Sequence, residues 1–198
     1  MFTNNNTNNN TNNNTNNTNS NFQMNKVTNG EYNIKFYLEN NNIQLAKTID
    51  FNLIKLLYEL NQDIYEKIDL KIFNDTQATI LAINKHLFQD LGISQKYSHL
   101  KISKYILGSG KIIFDLQTLK TNPGEHSMSH LIPEKAEQLP IKQFTIACNV
   151  INQHKIEFGI DFKIDIDTIE LPVFVENALC KIFIKMFKRV KQFIENIQ

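Results

Sequence analysis

From Ile156 to Ile166 every second residue is Ile or Phe, and no other feature constrains the chain so tightly. Side chains two apart in a strand share a face, so Ile156, Phe158, Ile160, Phe162, Ile164 and Ile166 make one apolar wall, while Glu157, Asp161, Lys163 and Asp165 face the other way. A sheet containing this strand is dry on one side and wet on the other. The strand before it follows the same rule: Phe144, Ile146, Cys148 and Val150 alternate with Gln143, Thr145, Ala147 and Asn149, and Asn152-Gln153-His154 supplies the turn. Beyond Pro172, which the first turn of a helix tolerates, the period changes to three and four. Leu179, Ile182, Phe183, Met186, Phe187, Val190, Phe193, Ile194 and Ile197 fall within an arc of roughly 140°, opposite Lys181, Lys185, Lys188 and Arg189. Such a helix has to bury its apolar stripe, and the nearest dry surface is the strand that precedes it. The expected fold class is therefore α+β: an antiparallel β-sheet wrapped around a long C-terminal amphipathic helix.

Upstream, Tyr32, Ile34, Phe36 and Leu38 alternate with polar residues as in a half-buried strand, and Ile43, Leu45 and Ile49 suggest a shorter one. Asp50 caps a helix expected from Phe51 to Ile68, with Leu53, Leu57, Leu60, Ile64 and Ile68 at helical steps. Asp69 to Phe73 reads as a strand. The stretch Asn74 to Gly92 fits either a helix stopped by Gly92 or a strand beginning near Thr79. Tyr97 to Leu107 and Lys111 to Thr118 form a hairpin across Gly108-Ser109-Gly110. Lys120 to Pro140 carries three of the four prolines without periodicity, and is expected to be a long connection of the kind that serves as a lid.

Composition adds exclusions. Nothing from Met1 to Gln23 is charged, and Thr3 to Asn19 is almost wholly Asn and Thr, which leaves too little apolar surface to offset the entropy of ordering. The expected organisation is a disordered tract over residues 1–26 and a single α+β domain over 27–198. With 21 basic against 20 acidic side chains, the balance does not point to nucleic acid, and two cysteines cannot build a disulfide framework. No basic cluster leads into an apolar run near Met1, and Lys181, Lys185 and Lys188 interrupt the most apolar region, so a cytoplasmic protein is expected.

Motifs that carry chemistry are weak. Gly108-Ser109-Gly110-Lys111 lacks the Gly and the Ser or Thr of a phosphate loop, since Tyr105 and Ile112 stand there. His126 and His130, with Glu125, lack further ligands, so neither a metal nor a cofactor is expected. Cys148 and Cys180 read as small core hydrophobes, and no catalytic residue is assigned.

The segment Ile156-Glu157-Phe158-Gly159-Ile160-Asp161-Phe162-Lys163-Ile164, then Leu171-Pro172-Val173-Phe174, then the helix through Phe187-Lys188-Arg189-Val190, resembles the end of START-related, helix-grip proteins. Polyketide cyclase-like and coenzyme Q-binding members finish in the same way. The resemblance implies a cavity between sheet and helix for a lipid, sterol or prenyl quinone. Its strand-borne lining would be Phe144, Ile146, Phe158, Ile160 and Phe162, and its helix-borne lining Leu179, Phe183, Met186 and Phe187. The leading expectation is an intracellular, non-enzymatic carrier. The rival is an interaction subunit with a solid core, meeting an acidic protein or an anionic membrane through Lys181, Lys185, Lys188 and Arg189. An enzyme of the cyclase or hydrolase kind comes third, because no acid–base pair converges.

Overall fold

The computed structural model describes residues 22–28, 30–108, 110–120, 129–165 and 173–198. Its alternating segments enter one sheet: β1 (Phe22–Thr28), β2 (Glu31–Glu39), β3 (Tyr65–Asn74), β4 (Gln77–Asn84), β5 (Lys96–Leu107), β6 (Lys111–Thr118), β7 (Glu137–Gln138), β8 (Ile141–Asn152) and β9 (Lys155–Ile164). Helices α1 (Phe51–Glu59) and α2 (Val173–Glu195) complete the order. The strands run β1-β2-β9-β8-β6-β5-β4-β3, all antiparallel, while the two-residue β7 pairs with β5 in parallel. Hydrogen-bonded register aligns the apolar residues into rows. Phe22 stands opposite Phe36, Phe36 opposite Phe158 and Phe158 opposite Cys148; farther along, Tyr32, Phe162 and Phe144 form a second row.

The inner face of this sheet grips α2, as the alternation requires. Met186, Phe187, Val190 and Ile194 are buried beside Phe36, Phe158 and Phe162. The Phe183 ring lies 4.8 Å from that of Phe162, and Phe187 lies 6.1 Å from Phe36. Phe193, expected within the apolar arc, is 45% exposed, because it sits about 100° round the helix from Ile194, which takes the inward place. Across the outer face of β2 and β9, opposite charges meet: Lys163 reaches Glu31 at 3.1 Å, Lys155 reaches Glu39 at 2.7 Å, and Asn33 donates to Asp161 at 2.7 Å. Among the described residues, no helix is long and apolar enough to cross a membrane.

Three local expectations are corrected, and a fourth that was left open is resolved. The polar tract expected to reach residue 26 gives way at Phe22, whose ring stacks on Phe36 at 5.4 Å and so recruits β1 to the sheet edge; residues 1–21 lie outside the described residues. The expected short strand around Leu45 is a 3₁₀ turn, Leu45–Lys47, which buries Leu45 without joining the ladder. Asp50 caps α1 as expected, accepting from the Asn52 N–H at 2.8 Å, but the helix stops at Glu59 rather than Ile68. Asn61, fully buried, turns its amide back to the Leu57 carbonyl at 2.6 Å, and the chain then leaves for β3.

The fourth concerns Asn74 to Gly92, where the strand alternative prevails as β4. Ala78, Ile80 and Ala82 face the inner core, while Leu81 and Ile83 pack with Tyr97 under Leu131, Ile132 and Ala136 on the outer face. Gly92 still marks a stop, at φ 70°, but for the single turn Gln89–Leu91. The same packing revises the lid. The described part of the Lys120 to Pro140 connection seals the outer face of β4 and β5, and residues 121–128, with Glu125 and His126, lie outside the described residues.

Candidate functional site

Beneath α2 the interior is mostly filled, and the space left is divided. Among the described residues the largest gap, about 60 Å³, lies under the N-terminal half of the helix, between Leu179, Phe183 and Met186 above and Phe144, Phe162 and Leu100 on the sheet. A neighbouring gap of about 40 Å³ shares Asn84, Leu87, Leu139, Ile164 and Leu179 with it and extends outward to the β4–β5 connection. A third, of about 30 Å³, lies beneath the other half of α2, among Ile146, Phe158, Ile160, Phe187, Phe114 and Leu57. The smallest, about 10 Å³, separates Met24 and Tyr32 from Phe183 and Phe187.

All nine residues expected to line a cavity face the helix–sheet interface, but in two groups. Phe144, Phe162, Leu179, Phe183 and Met186 border the largest gap, and Ile146, Phe158, Ile160 and Phe187 border the third. Phe36 and Phe158, stacked at 5.1 Å and 6°, both border the third gap, and the Phe22 ring stacks on Phe36 from β1. Sequence reasoning missed the polar members of the lining: Tyr58, Tyr65, Asn84 and Ser98. Tyr58 belongs to a helix, Tyr65 and Asn84 to paired strand ends and Ser98 to β5, so no local spacing connects them.

Burial pushes the Tyr58 and Tyr65 hydroxyls well above the usual phenol range, so both stay neutral at any ordinary pH. Their rings lie 4.7 Å apart, and the Tyr65 hydroxyl donates to Met186 Sδ at 3.6 Å. At the N-terminal end of α2, Tyr32 Oη donates to the Glu176 carboxylate, which also pairs with Lys26 at 2.7 Å. Burial alone would raise the Glu176 carboxyl, but the hydrogen bonds from Lys26 and Tyr32 outweigh it and hold the group below its ordinary value. Burial pushes Tyr32 up strongly.

Nucleophilic and metal chemistry find little to work with. Burial pushes the Cys148 thiol up to about 12, so it stays protonated. Among the described residues no three His, Cys, Asp or Glu side chains gather as metal ligands. The cations expected to meet a partner are partly engaged within the chain. Lys185 pairs with Asp63 at 2.9 Å, Arg189 binds both Asp63 and Asn61, and Lys188 lies 5.7 Å above the Phe22 ring; Lys181 is exposed.

No family model and no curated protein matches the sequence. Solved structures match its shape. The lipid transfer and protein localization domain of human StarD13 superposes with a TM-score of 0.61 at 6% identity, over 89% of this chain and 84% of that one. Human STARD10 gives 0.58 at 10% identity, over 88% and 73%. A STAR-related lipid transfer protein from Xanthomonas axonopodis gives 0.55 at 11% identity, over 88% and 98%. At such identities the likeness is one of fold, and it confirms the expected START-like helix-grip architecture.

Proposed function

Starting from this START-like helix-grip fold, we propose that the chain binds a hydrophobic small molecule, of the lipid, sterol or prenyl quinone kind, between the sheet and α2. The observation that carries the reading is the position of the two gaps that Leu179 borders. They adjoin one another, are lined chiefly by apolar side chains, and lie under the end of α2 where Leu179 is only partly buried. Large apolar pockets with a few convergent polar groups are the usual form of a small-molecule site. Two of those solved structures, the StarD13 domain and the Xanthomonas axonopodis protein, are described as lipid transfer proteins or domains, which supports the same class.

Size sets a condition on the reading. A gap of about 60 Å³ matches the liquid volume of about two waters, so a lipid-length occupant requires Leu179 and Phe183 to move outward. The test is direct. The full chain, purified without detergent, is extracted with organic solvent and the extract analysed by mass spectrometry, with uptake of a fluorescent sterol and a fluorescent acyl lipid measured in parallel. A stoichiometric apolar compound, or saturable uptake, is the expected result. A chain that is empty and takes up neither probe overturns the proposal in favour of a solid-core interaction subunit.

A further inference from the structure

The gap of about 60 Å³ has an apolar lining interrupted by four polar residues, all of them uncharged. Its lining includes Tyr58, Tyr65, Asn84 and Ser98, and no Asp, Glu, Lys, Arg or His. Tyr58 is 5% exposed and Ser98 is 7% exposed. Among the described residues, neither the Tyr58 hydroxyl, the Ser98 hydroxyl nor the Asn84 side-chain amide hydrogen-bonds another protein group; the bond made at Asn84 uses its backbone carbonyl, which accepts from Gln95 at 2.7 Å. Asn84 is only partly buried, and the polar atoms of all three residues keep access to open space rather than being sealed by protein, so these unspent donors and acceptors are available to a molecule that fills the gap. The lysines of this region, Lys85 and Lys96, border the outer gap instead, and Lys96 is paired with Glu137.

We infer that the cavity selects an uncharged amphiphile, whose hydroxyl or carbonyl group sits among Tyr58, Asn84 and Ser98 while its apolar body lies along Phe144, Phe162 and Phe183. This rests on the reading that the chain binds a hydrophobic molecule, and narrows it. A hydroxyl both donates to the Asn84 amide oxygen and accepts from Ser98 or Tyr58, and a carbonyl accepts from any of the three donors. An ionised carboxylate or phosphate in the same place would lose its water without gaining an opposite charge, and that loss is far larger than a few neutral hydrogen bonds return. Neither tyrosine can answer by ionising as a cation, and burial keeps both protonated. The site therefore discriminates by headgroup charge rather than by tail.

Three probes with one chain length separate the terms: oleyl alcohol, oleate and 1-octadecene, titrated into the full chain at a pH where oleate is ionised. The protein reports on itself, since it has six Tyr and no Trp, and two of those tyrosines line the gap. Oleyl alcohol is expected to bind at least about tenfold more tightly than oleate. Ser98→Ala is expected to weaken oleyl alcohol about fivefold and leave 1-octadecene unchanged, with Ser98→Thr restoring part of the loss. Oleate binding as tightly as the alcohol, or equal losses for alcohol and hydrocarbon in Ser98→Ala, overturns the inference and leaves the cavity reading standing. If none of the three binds, this inference falls, while the cavity reading stands or falls on the extraction and on sterol and acyl-lipid uptake.

Discussion

The Asp63 carboxylate is clasped by the Arg189 guanidinium: Nη2 donates to Oδ2 at 3.0 Å, and Nη1 donates to Oδ1. Arg189 Nη1 also donates to Asn61 Oδ1 at 3.0 Å, and Lys185 Nζ adds a bond to Asp63 Oδ2 at 2.9 Å. The turn after α1 is thereby fastened to the C-terminal half of α2, with charges that the sequence alone assigns to an open cationic surface.

This clasp has a pH signature. Hydrogen bonds from Arg189 and then Lys185 hold the Asp63 carboxyl well below its usual range. A group whose folded pKa is depressed adds stability above its unfolded value, about 3.9, and loses that contribution as the pH falls toward the folded value. Because the pair is solvent-exposed, its worth is about 0.5–1 kcal/mol. Urea unfolding of the wild type and Asp63→Asn is expected to differ by that amount at neutral pH, with the gap closing below about pH 4. A difference independent of pH contradicts the assignment.

Asn40 fastens the same C-terminal half of the helix at its very end. Its Nδ2 donates to the Ile194 carbonyl at 2.6 Å and the Ile197 carbonyl at 2.9 Å, and its Oδ1 accepts from the Asn42 N–H at 2.7 Å. Replacement by Ala leaves these last-turn carbonyls without their donor, and is expected to cost about 1–3 kcal/mol. Thermal unfolding measures it; an unchanged Tm refutes the role.

Leu179 borders both of the larger gaps. Leu179→Trp is expected to occupy the space a ligand would use, abolishing saturable lipid uptake while lowering stability by less than about 2 kcal/mol. Undiminished uptake by a folded Leu179→Trp protein places the ligand elsewhere.

The edge strand β1 makes a claim about where the domain begins. A chain starting at Phe22 is expected to be as stable as the full chain. One starting at Val27 loses the Phe22–Phe36 stack and the Lys26–Glu176 pair, and is expected to be less stable by about 2 kcal/mol or more. Equal unfolding midpoints for the two truncations count against it.

The sequence was most legible where a strand is buried on one face only. β9 and β8 alternate cleanly because their outer residues, such as Lys163 and Asp161, meet cross-strand partners in water. β4 was ambiguous because both of its faces are covered, which erases the period-two signal and leaves Ile80, Ile83 and Leu87 at helical steps. The overrun of α1 has a related cause: Ile64 and Ile68 continue the helical spacing by coincidence, one in the turn and one in β3, whereas the residue that ends the helix is polar and its partners, Leu57 and Met186, include one far away in the chain. For the cavity, the periodic Phe and Ile residues were visible in advance. Tyr58, Asn84 and Ser98 were not, since only the closing of the sheet brings them together.

Along α2 the polar fastenings are unevenly distributed. Asn40, Asn61, Asp63 and the Tyr37 carbonyl, which accepts from Lys191 Nζ at 2.7 Å, all grip its C-terminal half, while among the described residues Glu176 supplies an ionic tie of the N-terminal half. The helix is in effect a cantilever, clamped at one end and lightly latched at the other. The lightly latched span is the one above the two gaps that Leu179 borders, so whatever displaces it works against apolar packing and the Glu176 tie rather than against the clamp.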